Sequence, residues 1–186
     1  TRRSSDLGIL NLGQGGNGPL TEYATLREYF PNKKVKRVLW MYFEGNDLLN
    51  LQLEFRNQIL VNYLKDENFS QNLILRKQEI EKLQLKQLES FADLVIIKQR
   101  TELINFVKLN FLRNKILTGI MIEFFPPTKK FENILKSSNE FTTQNNSKLY
   151  FVYLPKYSRY SGNKNYKIFR NYKKIIKIVE SLNIPI

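Results

Sequence analysis

Two short stretches carry residue types that could do chemistry: Gly13-Gln14-Gly15-Gly16-Asn17-Gly18 and Glu44-Gly45-Asn46-Asp47. A glycine loop can present a backbone N–H with no side chain blocking the approach. An asparagine amide supplies a second donor, neutral and directional. Two such donors converging on one point stabilise a developing oxyanion, at roughly 3 to 4 kcal/mol per donor in a transition state. That chemistry needs neither metal nor cofactor. Histidine and cysteine are both missing from the 186 residues. No His-dependent base, no histidine or thiolate metal cluster and no disulfide framework can therefore be built from them.

The two stretches can cooperate only if the elements before them are neighbours. Val38 to Phe43 is apolar for too long to be a half-exposed strand, and it reads as a strand buried on both faces of a parallel sheet. In open α/β sheets, ligands bind just past the carboxyl ends of such strands, which is where Gly45, Asn46 and Asp47 fall. Gly8 to Leu12 reads as a shorter strand before the glycine loop. Pro19 suits the first turn of a helix, and Leu20, Tyr23, Ala24, Leu26 and Tyr29 continue at helical spacing up to Pro31. The expected unit is βαβ with a right-handed crossover, placing both loops side by side.

The glycine loop has other readings. Gly13-x-Gly15-x-x-Gly18 formally matches a dinucleotide fingerprint between a strand and a helix. Lys36 and Arg37 stand where an acidic residue should end the next strand. The P-loop Gly-Lys-Ser/Thr is lacking. The plainest alternative is that the glycines only ease a tight turn.

Beyond Asp47, which can cap a helix, Leu48, Leu49, Leu51, Leu53 and Phe55 keep helical spacing. A second helical pattern starts at Ser70 and runs through Leu73, Ile80, Leu83, Leu88 and Phe91 to Leu112. Its heptad is not strictly kept, so an amphipathic hairpin folded over the sheet is expected rather than a coiled-coil arm. Ile116 to Phe125 is a further apolar patch, either core or a lid for an acyl chain. Phe131, Ile134 and Leu135 mark another helix, Asn139 to Ser147 a polar loop, and Lys148 to Pro155 a second central strand. Lys156 to Asn165 forms the loop at that strand's end. Ile168, Tyr172, Ile175, Ile176 and Val179 are the apolar stripe of a last helix, with Lys167, Arg170, Lys173, Lys174 and Lys177 opposite. That basic face is solvated, or it is a nucleic-acid stripe with Tyr157, Tyr160 and Tyr166 as stacking groups.

Composition sets the outer limits. Hydrophobic residues make up 42% and aromatics 13%, enough for one α/β domain with a real core. No run reaches the roughly 18 to 20 apolar residues of a membrane helix. The net charge of +13 is spread along the chain with abundant Lys, Asn and Ile, as codon bias in an AT-rich bacterial genome produces. Nucleic acid is therefore not the expected partner, whereas a membrane surface could be met through the helical insertion. Thr1 to Leu7 reads like adapter-derived sequence, and Leu182 to Ile186 like a strand just begun. The chain is accordingly expected to be an internal piece: residues 8–186 a partial domain, and 48–147 a largely helical insertion or cap. Localisation is not readable.

The two loops together resemble the SGNH (GDSL-type) hydrolase superfamily. Asn11-Leu12-Gly13-Gln14-Gly15-Gly16 resembles its oxyanion-glycine block, and Glu44-Gly45-Asn46-Asp47 resembles its Gly-x-Asn-Asp block, with Glu44 in place of the first glycine. The resemblance implies a flavodoxin-like αβα sandwich around a parallel sheet. It implies Gly16 and Asn46 as oxyanion-hole donors, supported by Gly45 and Asp47. It also implies a Ser nucleophile and a His base from blocks this chain does not contain, because its serines lack a Gly-Asp-Ser setting. The implied activity is hydrolysis, or transfer, of an acyl group from a small-molecule or carbohydrate ester, without metal or cofactor. These 186 residues alone are expected to be inert. The competing expectations are a basic module for nucleic acid or anionic membrane, and a flavodoxin-like nucleotide-binding protein.

Overall fold

The computed structural model describes residues 8–31, 33–83, 85, 126–160 and 169–186. The protein is mixed α/β. Helix α1 (Pro19–Tyr29) leads to strand β1 (Arg37–Phe43), then to helices α2 (Asp47–Glu54) and α3 (Gln58–Lys65). Residues 77–83 are helical. After residue 126 come α4 (Thr128–Gln144), strand β2 (Lys148–Leu154), a 3₁₀ turn at Tyr157–Arg159 and α5 (Phe169–Ser181).

β1 and β2 pair in parallel, with Arg37 opposite Lys148 and Phe43 opposite Leu154. Strand alternation puts Trp40, Tyr42, Leu149 and Phe151 on one face, and all four are buried. Tyr42 packs its ring against Phe131 at 5.3 Å and Phe151 at 5.7 Å between centroids. Leu20 of α1, Leu51 of α2, Ile134 and Leu135 of α4, and Ile175 and Val179 of α5 close the same core. Among the described residues, one layer of helices therefore covers one face of the sheet.

Three expectations change. β1 is buried on one face only: Leu39 is 62% and Met41 45% exposed, because α1, α2 and α4 all pack on the Trp40 side. Gly8 to Leu12 is irregular rather than a strand, with Ile9 86% exposed. Among the described residues it makes no backbone hydrogen bond to β1, whose paired neighbour is β2. The first forty-odd residues thus form no βαβ unit; the parallel pair is made across a long connection instead. Third, α4 runs through Asn139 to Gln144, where a loop was expected. Its buried hydroxyls satisfy themselves along the helix, Ser138 Oγ donating to the Ile134 carbonyl and Thr142 Oγ1 to that of Ser138.

Other expectations fit. Pro19 is the first residue of α1, α5 buries Ile175 and Val179, and its Lys173, Lys174 and Lys177 are exposed. The expected strand start at Leu182 to Ile186 is instead a turn and irregular chain, tied to β2 where the Phe151 N–H donates to the Pro185 carbonyl at 2.8 Å. Ile116 to Phe125, most of the 70–112 pattern, Tyr166, Lys167 and Ile168 lie outside the described residues, as do Thr1 to Leu7. Among the described residues no helix is long and apolar enough to cross a membrane.

A polar latch fastens α3 and the segment after it to α1. The Arg27 guanidinium donates to the carbonyls of Tyr63, Asp66, Glu67 and Phe69. Buried Glu28 accepts from the Tyr63 hydroxyl (2.5 Å), Ser70 Oγ (2.8 Å), Gln71 N–H (2.6 Å) and Leu73 N–H (2.8 Å). Burial alone would raise the Glu28 pKa, but these bonds, led by that from Tyr63, hold it below the usual value.

Candidate functional site at the ends of the strands

Gly16 sits at the turn before α1 with φ +90°, a left-handed conformation that a side chain would strain. It is exposed, and among the described residues its N–H has no hydrogen-bond partner. Asn46 is the residue from which α2 starts (φ −149°, ψ −8°), half-buried, its side chain making no capping bond. Both expected donors therefore stand at element ends with their N–H groups unpartnered among the described residues.

Asn50 ties the two together. Its backbone N–H donates to the Asn46 carbonyl at 2.8 Å, as the first turn of α2 requires. Its side-chain amide donates to the Gly16 carbonyl at 3.2 Å and the Asn17 carbonyl at 3.4 Å. One turn on, Glu54 accepts from the Gly18 N–H (2.7 Å) and the Leu20 N–H (3.0 Å). The first N–H groups of α1 thus meet a carboxylate from α2, where the helix dipole favours negative charge. Gly18 allows the approach: a Cβ there would lie 2.7 Å from Asn50 Cβ and 2.8 Å from Glu54 Oε2.

Asp47 is not the cap it was expected to be. It is the first residue of α2, 4% exposed, and its Oδ2 reaches back to accept the Phe43 N–H at 2.7 Å. The carboxylate so satisfies the last backbone donor of β1 and fixes the Glu44-Gly45-Asn46 turn. Gly45 lets the Phe43 ring fold over that turn, since a Cβ would run into it. Glu44, the departure from the family pattern, is buried. It accepts from the Lys156 N–H at 3.1 Å and pairs with Arg159 at 2.9 Å, joining the ends of both strands. The Arg159 guanidinium in turn lies over the Tyr172 ring, 4.8 Å from its centroid.

Three carboxylates, Glu22, Asp47 and Glu54, act on one another electrostatically. Burial pushes Glu22 up to about 8, with the charges of Asp47 and Glu54 adding to it, and its Oε2 is buried without a partner among the described residues. Burial also lifts Asp47 to about 7, against the pull of the Phe43 N–H and with the Glu54 charge. At neutral pH Glu22 is thus mostly protonated and Asp47 partly so. Among the described residues no group of three or more His, Cys, Asp or Glu side chains could hold a metal ion.

Sequence reasoning missed Asn50, Glu54 and Glu22. The first two were findable, as polar positions three and seven residues after Asp47 on a helix otherwise rich in leucine. Glu22 gave no such signal, because acidic residues are common in a first helical turn. No protein-family model, no curated protein and no solved structure matches this chain.

Proposed function

We propose that this chain supplies the oxyanion hole of an SGNH-type ester hydrolase with a flavodoxin-like αβα architecture. The Gly16 N–H and the Asn46 side-chain amide are its two donors. A serine from one flanking block attacks the acyl carbonyl, a histidine from another takes the proton, and the two donors stabilise the tetrahedral oxyanion. The supporting observation is Asn50, which binds the main chain of both donor residues, Gly16 and Asn46, while leaving their donor groups free. Glu44 fits the reading despite its departure, because its bond to Arg159 does the turn-holding at that position.

The nucleotide alternative is disfavoured by Glu54. Its carboxylate already takes the N–H groups of Gly18 and Leu20, at the helix start where a phosphate would sit. The basic-module alternative draws, among the described residues, on exposed Lys156, Tyr157, Tyr160, Lys173, Lys174 and Lys177, and the lysines of α5 form a solvated face opposite Ile175 and Val179. Which ester is taken, and whether the acyl group passes to water or another acceptor, depends on groups beyond these loops.

The test is ester turnover by an extended product of the same gene that includes a Gly-Asp-Ser block and an Asp-x-x-His block. Asn46→Ala should lower its kcat by about 10²- to 10³-fold. The 186 residues alone should give no turnover. Ester hydrolysis by this chain that vanishes on Asn46→Ala would overturn the assignment of nucleophile and base to other blocks.

A further inference from the structure

We propose that Asn50 and Glu54 are positioning residues, a two-point clamp by which α2 sets the Gly16 loop against the Asn46 turn. The proposal rests on the oxyanion-hole reading for its functional meaning, but its geometry stands alone. Asn46 and Asp47 begin α2, and Asn50 and Glu54 follow one and two turns later on the same side. Asn50 fixes the Gly16 and Asn17 carbonyls; Glu54 fixes the Gly18 and Leu20 N–H groups. The loop is thereby held on both sides of Asn17 by one short rigid element.

The clamp matters because little else holds the loop. Residues 8–16 are irregular and, apart from Leu12, exposed, and the loop's own bonds are local, from the Asn17 N–H to the Gln14 carbonyl (3.3 Å) and from the Gly13 N–H to Asn11 Oδ1 (3.0 Å). At φ +90° a glycine has no side chain to lock its orientation. The direction of its N–H is then set by what grips its carbonyl and the peptides after it. Those grips come from the helix that also carries Asn46, so the two donors move as one body. A donor pair must be aimed before charge develops, and a small misplacement costs rate without costing binding.

Amide hydrogen exchange and two-dimensional amide NMR on the chain with Glu54→Ala and, separately, Asn50→Ala test the clamp. Glu54→Ala should speed exchange at Gly18 and Leu20 about tenfold or more, while amides of α4 keep their protection. Excess formate or acetate should restore the Gly18 and Leu20 signals, since a free carboxylate can refill the same position. Asn50→Ala should shift the Gly16 and Asn17 amide signals without changing the melting temperature by more than a few degrees. If Glu54→Ala does not fold, Asn50→Ala decides alone. Unchanged Gly16 signals, or exchange that speeds equally across α4, would overturn the clamp and leave a purely stabilising contact.

In the extended gene product, Asn50→Ala should lower kcat about tenfold or more with KM little changed. Loss of turnover by Asn46→Ala with none by Asn50→Ala would defeat the clamp and spare the oxyanion hole. Full turnover by Asn46→Ala would defeat the oxyanion hole and leave the exchange result to decide the clamp.

Discussion

α2 and α3 are both eight residues long, and both start from an asparagine, yet the two asparagines are used in opposite ways. Asn57 does what the position asks: its side-chain oxygen accepts the Ile59 N–H at 3.0 Å and caps α3. Asn46 gives its helix nothing, its side chain making no capping bond. The surroundings differ in the same sense. Near α3, Arg27 donates to four backbone carbonyls and Glu28 accepts from four neutral donors, so both charges are spent on hydrogen bonds of the fold. Near α2, the Gly16 N–H and the Asn46 amide stay unspent, and Glu22 Oε2 is buried without a partner among the described residues. Folded chains rarely leave polar groups unspent where a partner is within reach. The latch region spends its polar groups on the fold, whereas the exposed Gly16 N–H and the half-buried Asn46 amide are the two groups that the proposed donor role would use.

The largest effect should come from breaking the latch. Glu28→Ala strips partners from the Tyr63 hydroxyl, Ser70 and two backbone N–H groups at once, and should cost about 3 kcal/mol or more in urea unfolding. A loss below about 1 kcal/mol would mean those groups find water instead. Next comes the opposite pH behaviour of the two regions. The Glu28 pKa is lower in the fold than in the unfolded chain, so its contribution is present above the ordinary carboxylate range and lost on acidification. Glu22 and Asp47 are raised, to about 8 and about 7. Their contribution is therefore full below the unfolded carboxylate pKa and is lost as pH rises through 7 to 8. Glu22→Gln should leave the chain more stable than the parent above pH 8, by on the order of a few kcal/mol, and remove much of the decline between the ordinary carboxylate range and that pH. Melting curves across pH that stay parallel for parent and variant would show that Glu22 is not buried as described.

Asn57→Ala should cost about 1 kcal/mol through the lost cap. The smallest effect is reserved for Asn46→Ala, within about 0.5 kcal/mol, because the removed amide carries no bond of the fold. Equal losses for the two asparagines would erase the contrast between the helices.

How far the sequence could be read follows the same divide. Patterns that report burial were legible: α1 after Pro19 and the Ile175 and Val179 stripe from helical periodicity, and the strands at Val38 and Lys148 from unbroken apolar runs. The strand at Gly8 failed because an apolar run makes a strand only where a neighbouring edge accepts it, and β1 spends its described pairing on β2. The two-sided burial of β1 failed because composition reports apolar character, not which face the helices take. At the site, Gly16 and Asn46 were legible as turn residues ahead of helices, which is where both stand. The bonds of Asn50 and Glu54 were not, since both cross more than thirty residues to reach the glycine loop. Asp47 was placed at the right turn with the wrong role, its carboxylate turned back onto Phe43 rather than forward onto the helix.

The central claim is that Asn46 stabilises a transition state and not the fold. Kinetics and thermal unfolding of Asn46→Ala in the extended, Ser- and His-containing gene product test it in one comparison. The account predicts a kcat lower by about 10²- to 10³-fold with an unchanged melting temperature. Turnover that survives the substitution, or falls only in step with stability, would contradict it.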